Sequence, residues 1–317
     1  MDDQEPRENL ASARLGYSVV SGMAALNESP LYGGLCGAEV RAGIFDFGHG
    51  INLSTTYAHF MAPFMVSFEP AVEGRWHPPP WKPASGGLGF NISAQLFIPR
   101  EFNLSDWFDR LNTIWWFTAL IRLRATPLAF VPVVCNEPFA PGAQGERDTY
   151  FWPIEIHARP LGPLLQAEKG VDTEALVWIK DHWVAGGTLM RQNSDFNVAF
   201  RAFDQCIWTG SPSLSLVSLW GAMERLFSPS PYELRFRVSA AIASFLEAPG
   251  EKRWSLHKAI LKLYDSRSKA AHGHGKDETA AFIQTYALMK RILFRILEEN
   301  HVPTREEIEA RLFGYTD

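Results

Sequence analysis

Apolar residues recur along this chain with two different spacings, and the spacing changes near residue 165. Before that point the runs are short and alternate. In Leu88–Ile98, Phe90, Ile92, Ala94 and Leu96 fall on one side of an extended chain, which predicts a strand. Glu39–Phe47, Phe64–Phe68, Leu128–Val134 and Tyr150–His157 read as further strands from their β-branched and aromatic content. One helix interrupts them. Trp107, Leu111, Ile114, Trp115, Thr118 and Ile121 repeat at helical spacing over Asp106–Leu123, after the capping run Asn103-Leu104-Ser105. The Trp115-Trp116 pair belongs in a core. Gly74–Gly87, with three consecutive prolines, reads as a loop, as does the Pro- and Gly-rich Asn136–Asp148. Residues 1–15 read as a flexible lead-in.

After Pro160–Pro163 the helical period takes over. Thr173–Trp183 and Asp195–Trp208 are predicted helices, the second capped by Ser194 or Asp195. Ser213 caps Leu214–Phe227, where Leu216, Leu219, Trp220, Met223, Leu226 and Phe227 share a side. A Pro-Ser-Pro turn leads to Tyr232–Glu247, which Pro249-Gly250 ends. Trp254–Ala271 and Lys276–Asn300 follow. Thr304 and Glu307 then form a capping box for a last short helix ending before Gly314. The expected fold is α+β, with a mixed N-terminal domain over 1–165, which senses or positions something, and an all-helical bundle over 166–317.

Composition narrows the function. A hydrophobic fraction of 46% with 21% charged residues belongs to a globular chain. Cys36, Cys135 and Cys206 show no paired spacing, which suits free thiols in a reducing cytoplasm. The acidic, polar start is not a secretory signal, and no apolar run approaches the roughly 20 residues of a membrane span. A net charge of −5 argues against attraction of the whole molecule to nucleic acid. Locally the balance reverses: between Glu251 and Lys276 seven basic residues face two acidic ones.

That basic stretch ends in the chemically most suggestive run, Leu261–Gly273, LKLYDSRSKAAHG. Arg267 carries planar, permanently protonated donors suited to a phosphate. His272 moves protons near neutral pH. Five positions apart on a straight helix, the two point about 140° away from each other. Either the helix ends before Gly273, or a second subunit supplies the converging groups. His272 as a helix-terminal charge and Gly273 as a cap remain the plain alternative. Arg267 is expected beside Glu224 or Asp265, with Glu224 orienting it. Tyr264 is expected to pack with a polar tip. His272-x-His274 lacks the partners of a metal site, so no metal and no cofactor are expected. Asp46-Phe47-Gly48 has no accompanying kinase elements, and Gly86-Gly87-Leu88-Gly89 precedes a strand and not a helix.

Three features occur in order: Leu219–Phe227 (LWGAMERLF), a second helix with Arg235 and Arg237, and Tyr264–Gly273 (YDSRSKAAHG). Together they resemble the HEPN superfamily, most closely its ApeA-like branch, over about a third of the chain. The resemblance implies a HEPN-like bundle and a metal-independent endoribonuclease. It implies a homodimer with a composite site and a toxin-like role in bacterial anti-phage defence by abortive infection. On that basis Arg267, His272 and Ser268 are the expected catalytic residues, with Glu224, Tyr264 and Lys269 supporting them. Lys262, Lys269 and Lys276 are expected to contact RNA, tRNA among the candidates. The alternatives are a HEPN-like module that dimerises and binds RNA or protein without cutting, and an enzyme of another class in the aromatic N-terminal domain.

Overall fold

The structure is a computed structural model that describes residues 29–70, 77–102, 104, 109–139, 149–156, 167–227, 233–271 and 278–315. The chain is α+β, with an antiparallel sheet in its N-terminal half and helices in its C-terminal half. Among the described residues no helix is long and apolar enough to cross a membrane.

The strands are β1 (Leu31–Cys36), β2 (Glu39–Val40), β3 (Ile44–Gly48), β4 (Ile51–Ser67), β5 (Trp81–Ile98), β6 (Phe130–Cys135), β7 (Phe151–Pro153) and β8 (Gly170–Val171). Six of them form a sheet in the order β3-β4-β5-β1-β6-β7, while β2 and β8 pair in parallel beside it. The predicted strand Glu39–Phe47 is therefore two strands in two sheets, broken at Arg41–Gly43. Gly37 stands between β1 and β2 with φ +69°. A Cβ there would lie 2.0 Å from the Leu128 carbonyl oxygen, so only glycine fits. Asp46-Phe47-Gly48 leads into a hairpin turn, where the Gly48 amide donates to Asp46 Oδ1 at 2.9 Å.

The loop expected over Gly74–Gly87 is corrected: Trp81–Gly87 belongs to β5. Here β4 and β5 pair from Asn52↔Phe97 out to Ser67↔Trp81, but β3 reaches only Ser54 and β1 only Ala94. Beyond those points the two strands form a ribbon that no third strand pairs with among the described residues. Proline is tolerated on it because no third strand needs its missing N–H. Pro63 also stands at a register shift, where the ladder is already interrupted. Phe64–Phe68, expected as a strand of its own, is mostly the distal end of β4.

The helices are α1 (Arg110–Arg124), α2 (Thr173–Gln192), α3 (Ser194–Cys206), α4 (Pro212–Phe227), α5 (Leu234–Leu246), α6 (Glu251–Ala271), α7 (Glu278–Glu299) and α8 (Arg305–Leu312). α1 starts later than its apolar spacing suggests and is capped by Asp109, which accepts from the Asn112 amide. α2 runs nine residues beyond its predicted end at Trp183, and Asn193, not Ser194 or Asp195, caps α3. Thr304 and Glu307 form the expected capping box. The lead-in 1–15, Asn103 and Ser105, Pro160–Pro163 and the Pro-Ser-Pro turn lie outside the described residues.

α1 is buried almost all round and sits between the sheet and the other helices. One continuous hydrophobic cluster runs from Leu31 through α1 to Ile308. Trp116 is part of it, and Trp115 packs against it partly buried. Trp116 Nε1 donates to the Trp183 carbonyl on α2 at 2.9 Å, and Trp183 Nε1 donates to Phe47 O on β3 at 3.3 Å. Gly186 permits this approach: a Cβ there would meet Leu297 Cδ2 of α7 at 2.6 Å and Trp116 at 3.0 Å. Arg122 adds a buried polar joint. It donates to Ala129 O, to Asp204 on α3 and to both oxygens of Glu155. Burial opposes its charge, but Asp204 and Glu155 together raise its pKa above the ordinary arginine value.

Candidate functional site

α6 carries the stretch singled out by the sequence, and its inner face is set by Ile260 and Tyr264, both buried. Near its start, Arg253 donates to the carbonyls of Glu247 and Arg311 at 2.8 Å each. That cation therefore acts as a tie between helix ends and leaves the basic patch. Near the other end Tyr264 meets Trp220 of α4 edge-on, with ring centroids 5.0 Å apart. Its hydroxyl donates to Glu224 Oε1 at 2.8 Å.

Arg267 lies one turn further on, with its guanidinium carbon 5.6 Å from the Tyr264 ring centroid. Its Nη2 stands 3.6 Å from the same Glu224 oxygen, within ion-pair reach but beyond a good hydrogen bond. Tyr264 already occupies that oxygen. Two buried N–H groups here, Arg267 Nε and Trp220 Nε1, have no partner among the described residues. The cluster therefore has one shared carboxylate and more donors than acceptors. Burial pushes the Tyr264 hydroxyl up to about 12, and Glu224 adds to it, so it stays a donor at neutral pH.

Asp265, the other partner considered for Arg267, turns away to α5. Arg235 grips it through Nε at 2.6 Å and Nη2 at 2.8 Å. That clamp holds the Asp265 carboxyl below its usual range, and Lys269 acts in the same sense. Sequence reasoning placed Arg235 on a neighbouring helix but not against Asp265. The contact joins positions 30 apart on adjoining helices and leaves no local signature.

Ser268 is half-buried beside Arg267, while Lys262 and Lys269 are exposed. By helix geometry the two lysines lie about 140° and 160° around the axis from Arg267. Within one subunit they do not join it on a common face. α6 stays helical through Ala271, so it does not fray ahead of that residue. His272, Gly273, His274 and Lys276 lie outside the described residues.

A cavity of about 510 Å³ lies elsewhere, lined by α4, α5 and α8. Nothing in the linear pattern marks it, because its walls come from four separate stretches. Among the described residues no three His, Cys, Asp or Glu side chains gather as a metal site would require. No family model, curated protein or solved structure matches this chain.

Proposed function

We propose that this protein is a metal-independent endoribonuclease whose site is built at the C-terminal end of α6. The observation that carries this reading is the under-neutralised Arg267. Arg122–Asp204 and Arg235–Asp265 close to 2.8 and 2.6 Å, whereas Arg267 stands at 3.6 Å from a carboxylate that Tyr264 already occupies. Arg237–Glu233 and Arg311–Glu299 are as loose, at 4.0 and 3.7 Å, but no tyrosine among the described residues shares their carboxylates. A half-buried guanidinium with unused donors is suited to receive a phosphodiester. Tyr264 and Glu224 position it.

In the proposed reaction His272 takes the proton of a ribose 2′-OH, and the resulting oxygen attacks the adjacent phosphorus. The bond to the leaving 5′-oxygen breaks and that oxygen is protonated, giving a 2′,3′-cyclic phosphate and a 5′-hydroxyl end. Arg267 stabilises the charge on the phosphoryl oxygens, and Ser268 assists by hydrogen bonding. DNA lacks the 2′-OH and is not cut. Two copies of the chain form a composite cleft, with Lys262, Lys269 and Lys276 holding flanking RNA. Growth arrest through RNA cleavage, as in abortive infection, is the proposed cellular role, with the cytoplasm as its place.

The test is incubation with total RNA and tRNA in the presence of a chelator. Wild type should cleave, and His272→Ala and Arg267→Ala should each lose on the order of 100-fold or more. Equal amounts of the two variants, mixed as dimers, should recover part of the activity if the groups come from different subunits. Unchanged cleavage by His272→Ala refutes the mechanism. One observation favours the second reading, a binding module: Lys262 and Lys269 face away from Arg267. RNA binding by wild type without cleavage would establish that reading instead.

A further inference from the structure

The cavity between α4, α5 and α8 is independent of the nuclease reading. α8 is a strongly polar helix with one buried residue, Ile308. Polar ties hold it along one side. Arg253 donates to the Arg311 carbonyl at 2.8 Å, the Arg311 side chain pairs with Glu299 at 3.7 Å, and His301 meets Glu307 at 2.8 Å. It also packs on α5, where the Arg311 guanidinium lies over the Phe245 ring, but it leaves about 510 Å³ open toward the end of α4. That volume falls within the range of small-molecule sites, about 300–1,000 Å³.

The inner walls are Leu226, Phe227, Ala241 and Ile308, all buried and apolar. The apolar character continues outward through Phe236, Leu312 and Phe313, which are exposed at the rim. Charge at the rim is uneven: three arginines stand against two carboxylates. Arg225 is committed to Asp195 at 2.5 Å and Arg305 to Glu309 at 2.8 Å. Arg237 has only Glu233 at 4.0 Å, and no hydrogen-bond partner among the described residues. One uncommitted guanidinium therefore overlooks an apolar chamber.

The geometry points to a binding site for an amphiphilic monoanion, an alkyl carboxylate whose chain fills the chamber and whose head pairs with Arg237. A polyphosphate would find one free cation and walls that cannot solvate it. A cationic amphiphile would meet the arginine rim. A short carboxylate would lack the buried apolar area, at about 25 cal/mol per Å², to bind measurably.

The experiment is calorimetric titration of the full chain with dodecanoate below its micelle concentration. Hexanoate, dodecyltrimethylammonium and AMP serve as comparisons. Saturable binding of one dodecanoate per chain is expected, and none of the three comparisons should match it. Arg237→Glu, at an exposed position, should weaken dodecanoate about ten-fold or more. Ala240→Phe, which fills the chamber from α5, should abolish binding. Should Ala240→Phe fail to fold, Arg237→Glu decides. Absence of saturable binding by wild type, equal binding of the cation or of AMP, or unchanged affinity in Arg237→Glu each overturns the proposal.

Discussion

Arg122 offers the sharpest test of how the two halves are joined. Its side chain is 1% exposed and gives four hydrogen bonds, at 2.6 Å to Ala129 O, 2.8 Å to Asp204 and 2.9 Å to each oxygen of Glu155. Its guanidinium also lies 5.2 Å from the Trp208 ring centroid. Arg122→Met keeps the length of the side chain and removes every donor. Glu155 is partly exposed and keeps the Val131 amide as donor at 2.6 Å. Asp204 is 4% exposed, with the Trp115 indole as its donor at 2.9 Å. The variant thus strands a buried carboxylate, a change that costs about 3–5 kcal/mol in comparable pairs. This is a large share of the roughly 5–15 kcal/mol by which domains are stable. Urea unfolding at neutral pH measures it. Adding Asp204→Asn removes the stranded charge and keeps an acceptor for Trp115. The double variant should therefore be more stable than the sum of the single costs, by about 1.5–3 kcal/mol. A cost under about 1 kcal/mol, or strict additivity in the double variant, would show that the network does not join the halves.

Glu224→Ala leaves the buried Tyr264 hydroxyl without an acceptor and should cost about 1–3 kcal/mol, whereas Glu224→Gln keeps that acceptor and should cost under about 1. Equal losses in thermal unfolding would show that the charge on Glu224, not its bond to Tyr264, holds the cluster. All three thiols are buried, and burial raises each pKa, that of Cys36 to about 12. None should react with iodoacetamide near pH 8 until the chain is unfolded in guanidinium chloride, and fast labelling of the native protein contradicts this. Thr304→Ala should destabilise α8 by about 1 kcal/mol. His301, and next the Thr304 amide, hold the Glu307 carboxyl below its ordinary 4.5. Its contribution is present above that value and is lost as pH falls through the lower folded one. Hydrogen exchange in α8 should then quicken before the core does, and simultaneous loss would refute the assignment.

Helices were legible wherever apolar spacing and a turn residue agreed. Leu216, Leu219, Trp220 and Met223 mark the inner face of α4 in the bare sequence, and Thr304 and Glu307 announce α8. The ribbon of β4 and β5 was not legible at its outer end. Pro83, Gly86 and Gly87 read as loop residues because proline and glycine weaken a strand that has neighbours on both sides. Here each strand has a neighbour on one side only, so the missing N–H of a proline can face away from the ladder and the penalty that would identify a loop is small. The Glu224 contact of Arg267 was foreseeable as a charge pair on adjacent helices. The Arg122 joint was not, since its partner Asp204 is 82 residues away and nothing near either position signals the pairing.

The placement of cations around α6 constrains how an RNA could be held. Arg267 turns inward to Glu224, whereas Lys262 and Lys269 are exposed on the far side of the helix. Side chains about 140° or more apart on one helix cannot grip adjacent phosphates of a single strand, because the helix itself, about 10–12 Å across, stands between them. If Arg267 takes the scissile phosphate, the lysines must serve a different stretch of RNA or a different subunit's cleft. The shared Glu224 adds to the constraint. With Tyr264 already on one oxygen, Glu224 can hold Arg267 at a distance without neutralising it, which leaves the guanidinium able to exchange a weak partner for a stronger one. Under the proposed nuclease reading, such a site would be inert as a single copy and would become competent only when a second copy closes over the end of α6.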